Sequence, residues 1–305
     1  MGGRKGLCLA GHDQLFKDIL RGFFPEFLGL VAPGAAAESL AGEATFLDGE
    51  TFTDTPRGEQ RQLDLLARCP GRSGDSRVVL IHVEIERRFR SSMDERMWRY
   101  YLQLVLRHGR KVLPIALFLK GGAPGITRRR WRERVADLTV SRFEYLAFGL
   151  SRSPAPVYLQ RPETLVAGLA ALMHRGTWDR PRQRLECLKR ISQAPVDDAR
   201  RFLLFNLVET YLDLKGAEVD RYAELMRSTE NRAVRTMEMT WADRMEARGE
   251  LQGARQILVG LLEKRFGAPR SFLERRLEEL ESLDDLQRLS ERLLEAKTLE
   301  ELGLA

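Results

Sequence analysis

Residues 78–86 read VVLIHVEIE, an apolar run of strand length that carries three polar side chains, His82, Glu84 and Glu86, at alternate positions. Strand side chains alternate between faces, so these three project together while Ile81, Val83 and Ile85 project to the other side. Two neighbouring carboxylates repel unless water or a positive charge lies between them. The segment therefore reads either as a solvent-facing strand surface or as part of a site built for a cation.

The residues before it weigh toward a site. The stretch RQLDLLARC, residues 61–69, places a lone acid, Asp64, among Leu63, Leu65 and Leu66 just before a turn. A hairpin or near-neighbour pairing brings Asp64 beside Glu84. Three carboxylates at one end of a sheet form a hard-oxygen site suited to Mg²⁺ or Mn²⁺, which take one or two protein carboxylates together with waters and substrate phosphate oxygens. Such ions activate water and neutralise phosphate charge.

The surrounding sequence has an α/β order. Between His12 and Leu30 the apolar positions recur at steps of three and four, which predicts an amphipathic helix divided by Pro25. Strands are expected at 44–52, 61–69 and 77–86, forming a meander, then a helix over 93–108 with Gly109 as its C-cap. The apolar run 111–120 reads as a strand covered on both faces, with Pro114 suggesting an edge or a bulge, and 138–150 as one more strand. After the Ser- and Pro-rich punctuation at 151–156 only helical periodicity remains. The expected organisation is a first domain over 1–150, a helical domain over 151–232, and a long helix with a helical terminus over 233–305. The apolar stripe of 233–266, interrupted by Gly249 and Gly253, must be covered by the same chain or by a second copy, so a homo-oligomer is one expectation.

Taken in order, HDQLFKDIL (12–20), LDLLAR (63–68), LIHVEIE (80–86), FRSSMDERMWRYY (89–101) and KVLPIALFL (111–119) resemble the Rpn family of recombination-promoting nucleases and transposases, within the PD-(D/E)XK nuclease superfamily. The final fifty or so residues are similar to an uncharacterised helical domain often appended to such proteins. The resemblance implies a restriction-endonuclease-like mixed sheet flanked by helices and followed by an α-helical region. It implies a Mg²⁺- or Mn²⁺-dependent endodeoxyribonuclease, with Asp64 and Glu84 holding the ion, the carbonyl of Ile85 assisting, and Glu86 as a third catalytic position. Leu63 stands where the superfamily has Pro. Glu86 stands where it has Lys and where the narrower family commonly has Gln. Glu86 brings no positive charge; it binds a second metal, positions water, or marks a weakened site. The alternative is a catalytically weakened nucleic-acid-binding or protein-interaction scaffold on the same fold.

Four accessory candidates surround these acids: Lys17 as a replacement cation, Gln103 on the following helix, His82 on the acidic face, and Asp13 near the first helix start. For each, a structural reading is also available: a solvated helix face for Lys17 and Gln103, a core histidine, and stabilisation of the helix dipole by Asp13. Two basic segments are candidate nucleic-acid contacts, Arg87, Arg88 and Arg90 directly after the acidic strand, and TRRRWRER (127–134) with Arg128, Arg129, Arg130 and Arg132 around Trp131. Arginine grips phosphates bidentately and tryptophan stacks on bases.

Composition sets the outer bounds. The chain has 305 residues, 43% hydrophobic and 31% charged, which is the balance of a globular protein. A net charge of +6 permits a polyanionic partner such as DNA without demanding one. No apolar run approaches bilayer thickness and the first residues lack a secretory pattern, so a cytoplasmic protein with no membrane partner is expected. Cys8, Cys69 and Cys187 are odd in number and widely spaced, which fits a reducing compartment and disfavours a structural zinc site.

Overall fold

Valine, isoleucine and leucine dominate 79–86 and 111–118, and these two runs form the centre of a mixed sheet. The computed structural model describes residues 10–38, 41–47, 51–54, 59–71, 78–280, 282–296 and 298–304; for 10–13, 51–54, 59–62, 242–248 and 294–295 it describes the backbone alone. The chain opens with α1 (Ala10–Gly22), α2 (Phe24–Val31) and α3 (Pro33–Glu38), followed by β1 (Thr45–Phe46), β2 (Thr51–Asp54), β3 (Glu59–Gln62), β4 (Leu65–Cys69) and β5 (Val79–Glu86). Next come α4 (Met93–His108), β6 (Lys111–Phe118), β7 (Gly125–Val135) and β8 (Leu138–Gly149). Helices α5 (Ala155–Tyr158), α6 (Leu165–Leu169), α7 (Arg180–Ser192), α8 (Asp198–Tyr211), α9 (Ala217–Met226), α10 (Arg232–Phe266), α11 (Arg270–Glu278) and α12 (Leu283–Glu295) complete it.

Six strands make one sheet in the order β1-β4-β5-β6-β8-β7, with β2 and β3 forming a separate antiparallel pair. Strands β5, β6 and β8 run parallel, while β4 pairs antiparallel with β5 and β7 with β8. The α/β class, the helix over 93–108 and the left-handed Gly109 at its C-cap (φ 59°) agree with the sequence reading.

Several expectations are corrected. The strand expected over 44–52 is two short ones in different sheets, and the strand expected over 61–69 is interrupted: β3 ends at Gln62, β4 begins at Leu65, and Asp64 lies in a bend between them. Pro114 marks neither an edge nor a bulge. It sits in the interior strand β6, one residue before the β8 ladder starts at Ile115, so it has no ladder bond to lose on that side. Strand β7 was not expected at all, because Thr-Arg-Arg-Arg-Trp-Arg-Glu-Arg shows no apolar alternation.

By contacts the chain divides into two units, Met1–Val234 and Arg235–Ala305. The expected boundary at residue 150 lies inside the first unit, because the helices beyond it pack on the N-terminal ones: the rings of Phe16 and Tyr211 meet edge to face at 5.9 Å, and Leu165 N–H donates to Glu26 at 2.9 Å. In the second unit Leu258 and Leu262 of α10 bury against Leu273, Leu277, Leu286 and Leu289. Leu261, within the stretch 233–266, is 48% exposed, and helix α10 runs through Gly249 and Gly253 without a break. No helix among the described residues is long and apolar enough to cross a membrane.

Helix α4 covers the sheet face that carries the even-numbered residues of β5 and β6. Met93 and Met97 pack with Ala116, Phe118 and Phe143, and Tyr100 and Leu104 pack with Leu66 and Leu80. A polar lock fixes its first turn: Arg129 donates to both oxygens of Asp94 at 2.7 Å, Tyr145 donates to Asp94 at 2.6 Å, and the guanidinium lies 4.5 Å from the centre of the Phe89 ring. Burial, and then the bond to Asp94, hold the Tyr145 phenol above its ordinary pKa; the bond to Asp94 likewise raises that of Arg129.

Two tests follow from these contacts. A Cβ at Gly149 would overlap the Ala123 carbonyl, whereas Ala136, at the tip of the β7–β8 hairpin, adopts a φ of 52° that glycine prefers. Gly149→Ala is expected to lower stability by about 1–3 kcal/mol, and Ala136→Gly to raise it by about 1 kcal/mol, read from urea unfolding. The tyrosine lock predicts a pH effect. An unfolded tyrosine ionises near pH 10 while Tyr145 stays neutral in the fold, so the unfolded state loses its proton first and stability falls as pH rises through about 10. The urea midpoint should drop more between about pH 9 and about pH 11 in the wild type than in Tyr145→Phe.

Candidate active site

The β4–β5 ladder begins at Leu65↔Val83, and just beyond it two acids interlock. The Asp64 carboxylate accepts the Ile85 N–H at 2.8 Å, and the Asp64 N–H donates to Glu84 Oε1 at 3.4 Å. Each acid is thus seated on the other segment's backbone. A carboxylate here gives the Ile85 N–H a partner where the neighbouring strand has ended, which a leucine in that place would not.

The face shared by His82, Glu84 and Glu86 is closed to water at the first two and partly open at Glu86. His82 is 0% and Glu84 5% exposed, both under α4. His82 Nε2 meets Glu84 Oε1 at 2.9 Å, and the His82 ring stands edge to face with Tyr100 at 5.7 Å. A proton on Nε2 lets the imidazole donate to Glu84; Nδ1 is buried with no hydrogen-bond partner among the described residues. His82 therefore belongs to the site and also meets its expectation as a core histidine.

Two cations approach the acids. Lys17 Nζ of α1 lies 3.6 Å from Asp64 Oδ1. Arg96 of α4 forms a close ion pair with Glu86 and reaches Glu84 Oε2 at 3.9 Å. Sequence reading set Lys17 among the candidates but passed over Arg96. Its signal was positional: Arg96, Tyr100 and Gln103 recur at steps of four and three, on the stripe of α4 that follows buried Met93 and Met97. Side-chain exposures of 20% for Lys17, 22% for Asp64, 23% for Glu86 and 26% for Arg96 leave the mouth open to solvent, whereas Glu84, at 6%, is the floor.

The remaining candidates separate. Gln103 is half-buried with its Oε1 unpartnered among the described residues, and it makes no hydrogen bond to the acids. The Asp13 side chain lies outside the described residues, as does Cys8. Arg87, Arg88 and Arg90 are exposed and follow Glu86 directly in the chain. The 127–134 run is not one patch, because strand alternation splits it. Arg129 is spent on Asp94, and Trp131 packs beside Trp98 with ring centres 6.5 Å apart, so neither is a free contact for nucleic acid. Arg128, Arg130 and Arg132 are exposed on the opposite sheet face from Glu84, and Arg128 lines a cavity there with Leu113, Leu146 and Pro33.

Chemically, the arrangement offers two interlocked carboxylates as hard oxygen donors, with a lysine and an arginine beside them. No group of three or more His, Cys, Asp or Glu side chains among the described residues is placed to hold a metal. A site of two carboxylates still fits Mg²⁺, which takes waters and phosphate oxygens as its other ligands, whereas among the described residues it lacks the thiolates and multiple imidazoles of a zinc site. The two described cysteines are poor nucleophiles: Cys69 and Cys187 are buried, and burial pushes the Cys69 thiol up to about 11 and also raises that of Cys187. No family model, curated protein or solved structure matches this chain.

Proposed function

We propose that the protein is a Mg²⁺- or Mn²⁺-dependent endonuclease of restriction-endonuclease-like fold, the activity that its resemblance to the Rpn nucleases implies, with a role in recombination or transposition. The observation that carries this reading is the reciprocal seating of Asp64 and Glu84 on each other's backbone, with Lys17 and Arg96 beside them. Asp64, Glu84 and the Ile85 carbonyl would hold the ion, whose contribution is to neutralise phosphate charge and lower the pKa of bound water. Lys17, 3.6 Å from Asp64, would orient the attacking water. Glu86 does not carry the expected positive charge but holds an arginine that does. Arg96 presents that charge at the mouth, where two N–H groups of a guanidinium match two phosphate oxygens. Such a donor, fixed before substrate arrives, stabilises the charge that builds on the phosphate as the P–O bond breaks.

A second reading is favoured by the same ion pair. Arg96 already engages Glu84 as well as Glu86, and a chain that keeps it there permanently is a nucleic-acid-binding scaffold without cleavage.

Supercoiled plasmid with Mg²⁺ or Mn²⁺ separates the two. The wild type is expected to nick it, Asp64→Asn and Glu84→Gln to lose at least about 10³-fold, and Arg96→Gln to lose about 10²–10³-fold. Equal nicking by all four assigns the cleavage to a contaminant. Tight plasmid binding with no cleavage under either ion supports the scaffold.

A further inference from the structure

Strand β8 pairs with β6 from Leu146 to Gly149, and among the described residues, 138–145 pair with β7 alone. With 129–135 they form a two-stranded antiparallel ribbon that leaves the sheet, about 27 Å long at 3.4 Å per residue. Its two faces differ. One carries Arg129, Trp131, Phe143 and Tyr145, which pack toward α4. The other carries Arg130, Arg132 and Arg142, with Arg128 on the same face one residue before the ribbon starts, all exposed.

The register puts Arg132 directly opposite Arg142. Like charges facing each other across a strand pair oppose folding, and neither arginine has an ion pair among the described residues. Arg128 is likewise without one, while Arg130 is paired with Glu144 at 2.7 Å. Arginines on one strand face recur about every 6.7 Å. The Arg132–Arg142 juxtaposition works against the fold, whereas an anion lying along the ribbon would offset it.

We propose that the arginine face of the β7–β8 ribbon is a docking surface for duplex DNA, engaging phosphates on either side of the major groove. That groove is about 12 Å wide and admits a two-stranded ribbon, whereas the major groove of A-form RNA is too narrow. The exposed Leu138 and Val140 at the ribbon's end provide apolar contacts of the kind that meet thymine methyl groups. The surface stands on the opposite sheet face from Glu84, so it does not rest on the catalytic reading; a protein that cuts nothing would still bind through it.

The test is fluorescence anisotropy with a labelled 20-bp DNA duplex in EDTA, where no metal-dependent cleavage occurs. Arg132→Gln/Arg142→Gln is expected to bind at least tenfold more weakly at about 0.1 M salt and to lessen the slope of log K against log salt by about 2. Arg132→Lys/Arg142→Lys keeps most of the affinity. Arg152→Gln/Arg175→Gln, which removes two exposed arginines elsewhere, leaves binding within about twofold. Arg142→Glu, which turns the like-charge pair into an ion pair, weakens binding without lowering Tm; that combination excludes misfolding as the cause. The proposal is overturned if the wild type does not bind the duplex, if the two Gln pairs have equal effects, or if the ribbon variants lose binding only to vesicles of anionic lipid.

Discussion

The bond from the Ile85 N–H to the Asp64 carboxylate is the constraint on which the site depends. Where the β4–β5 ladder stops, the backbone of β5 still presents a polar group toward the space that its neighbour has left. A side chain from the bend supplies the missing acceptor, and in doing so pins the bend so that its own N–H points at Glu84. An ordinary need of a strand end, satisfying its backbone, is thus met by an acid, and the geometry of the acid pair follows from it. A carboxylate placed in a bend this way is oriented by the sheet, which is stiffer than a loop.

Burying Glu84 has a cost that its neighbours offset. An unpaired carboxylate under a helix is strongly unfavourable, so the face of α4 that covers it must carry compensating groups. Arg96 is that compensation, and His82 contributes a donor from the same strand. The lock between Asp94, Arg129 and Tyr145 then matters to the site, because it holds the first turn of the helix that delivers Arg96. The three acids and two cations form one coupled set, and Glu86, which looked anomalous by itself, is the partner of an arginine that comes from another element.

The sequence revealed the parts with strong periodicity. The alternation in VVLIHVEIE and the three-and-four spacing of α4 identified both elements that flank the site, and the isolation of Asp64 among leucines led to its pairing with Glu84. Three things were hidden. The interruption at Leu63–Asp64 carries no glycine or proline, since the bend is made by ladder termination rather than by turn residues. Strand β7 is an edge strand whose inner positions are filled by Arg129 and Trp131, so apolar alternation is missing where the pairing is longest. Arg96 lies among Met, Trp and Tyr on an amphipathic helix, where one more arginine in a chain with 50 basic residues draws no notice.

The strand order also sets a sequence of assembly. Strands β4 and β5 are antiparallel and close in sequence, so their contact costs little loop entropy and belongs among the early, local events of folding. The parallel pairing of β5 with β6 waits for the crossover through α4, and β8 joins later still. The chain order β4, β5, α4 thus lets the two acids meet across a local hairpin before the helix that carries their arginine has to close over them.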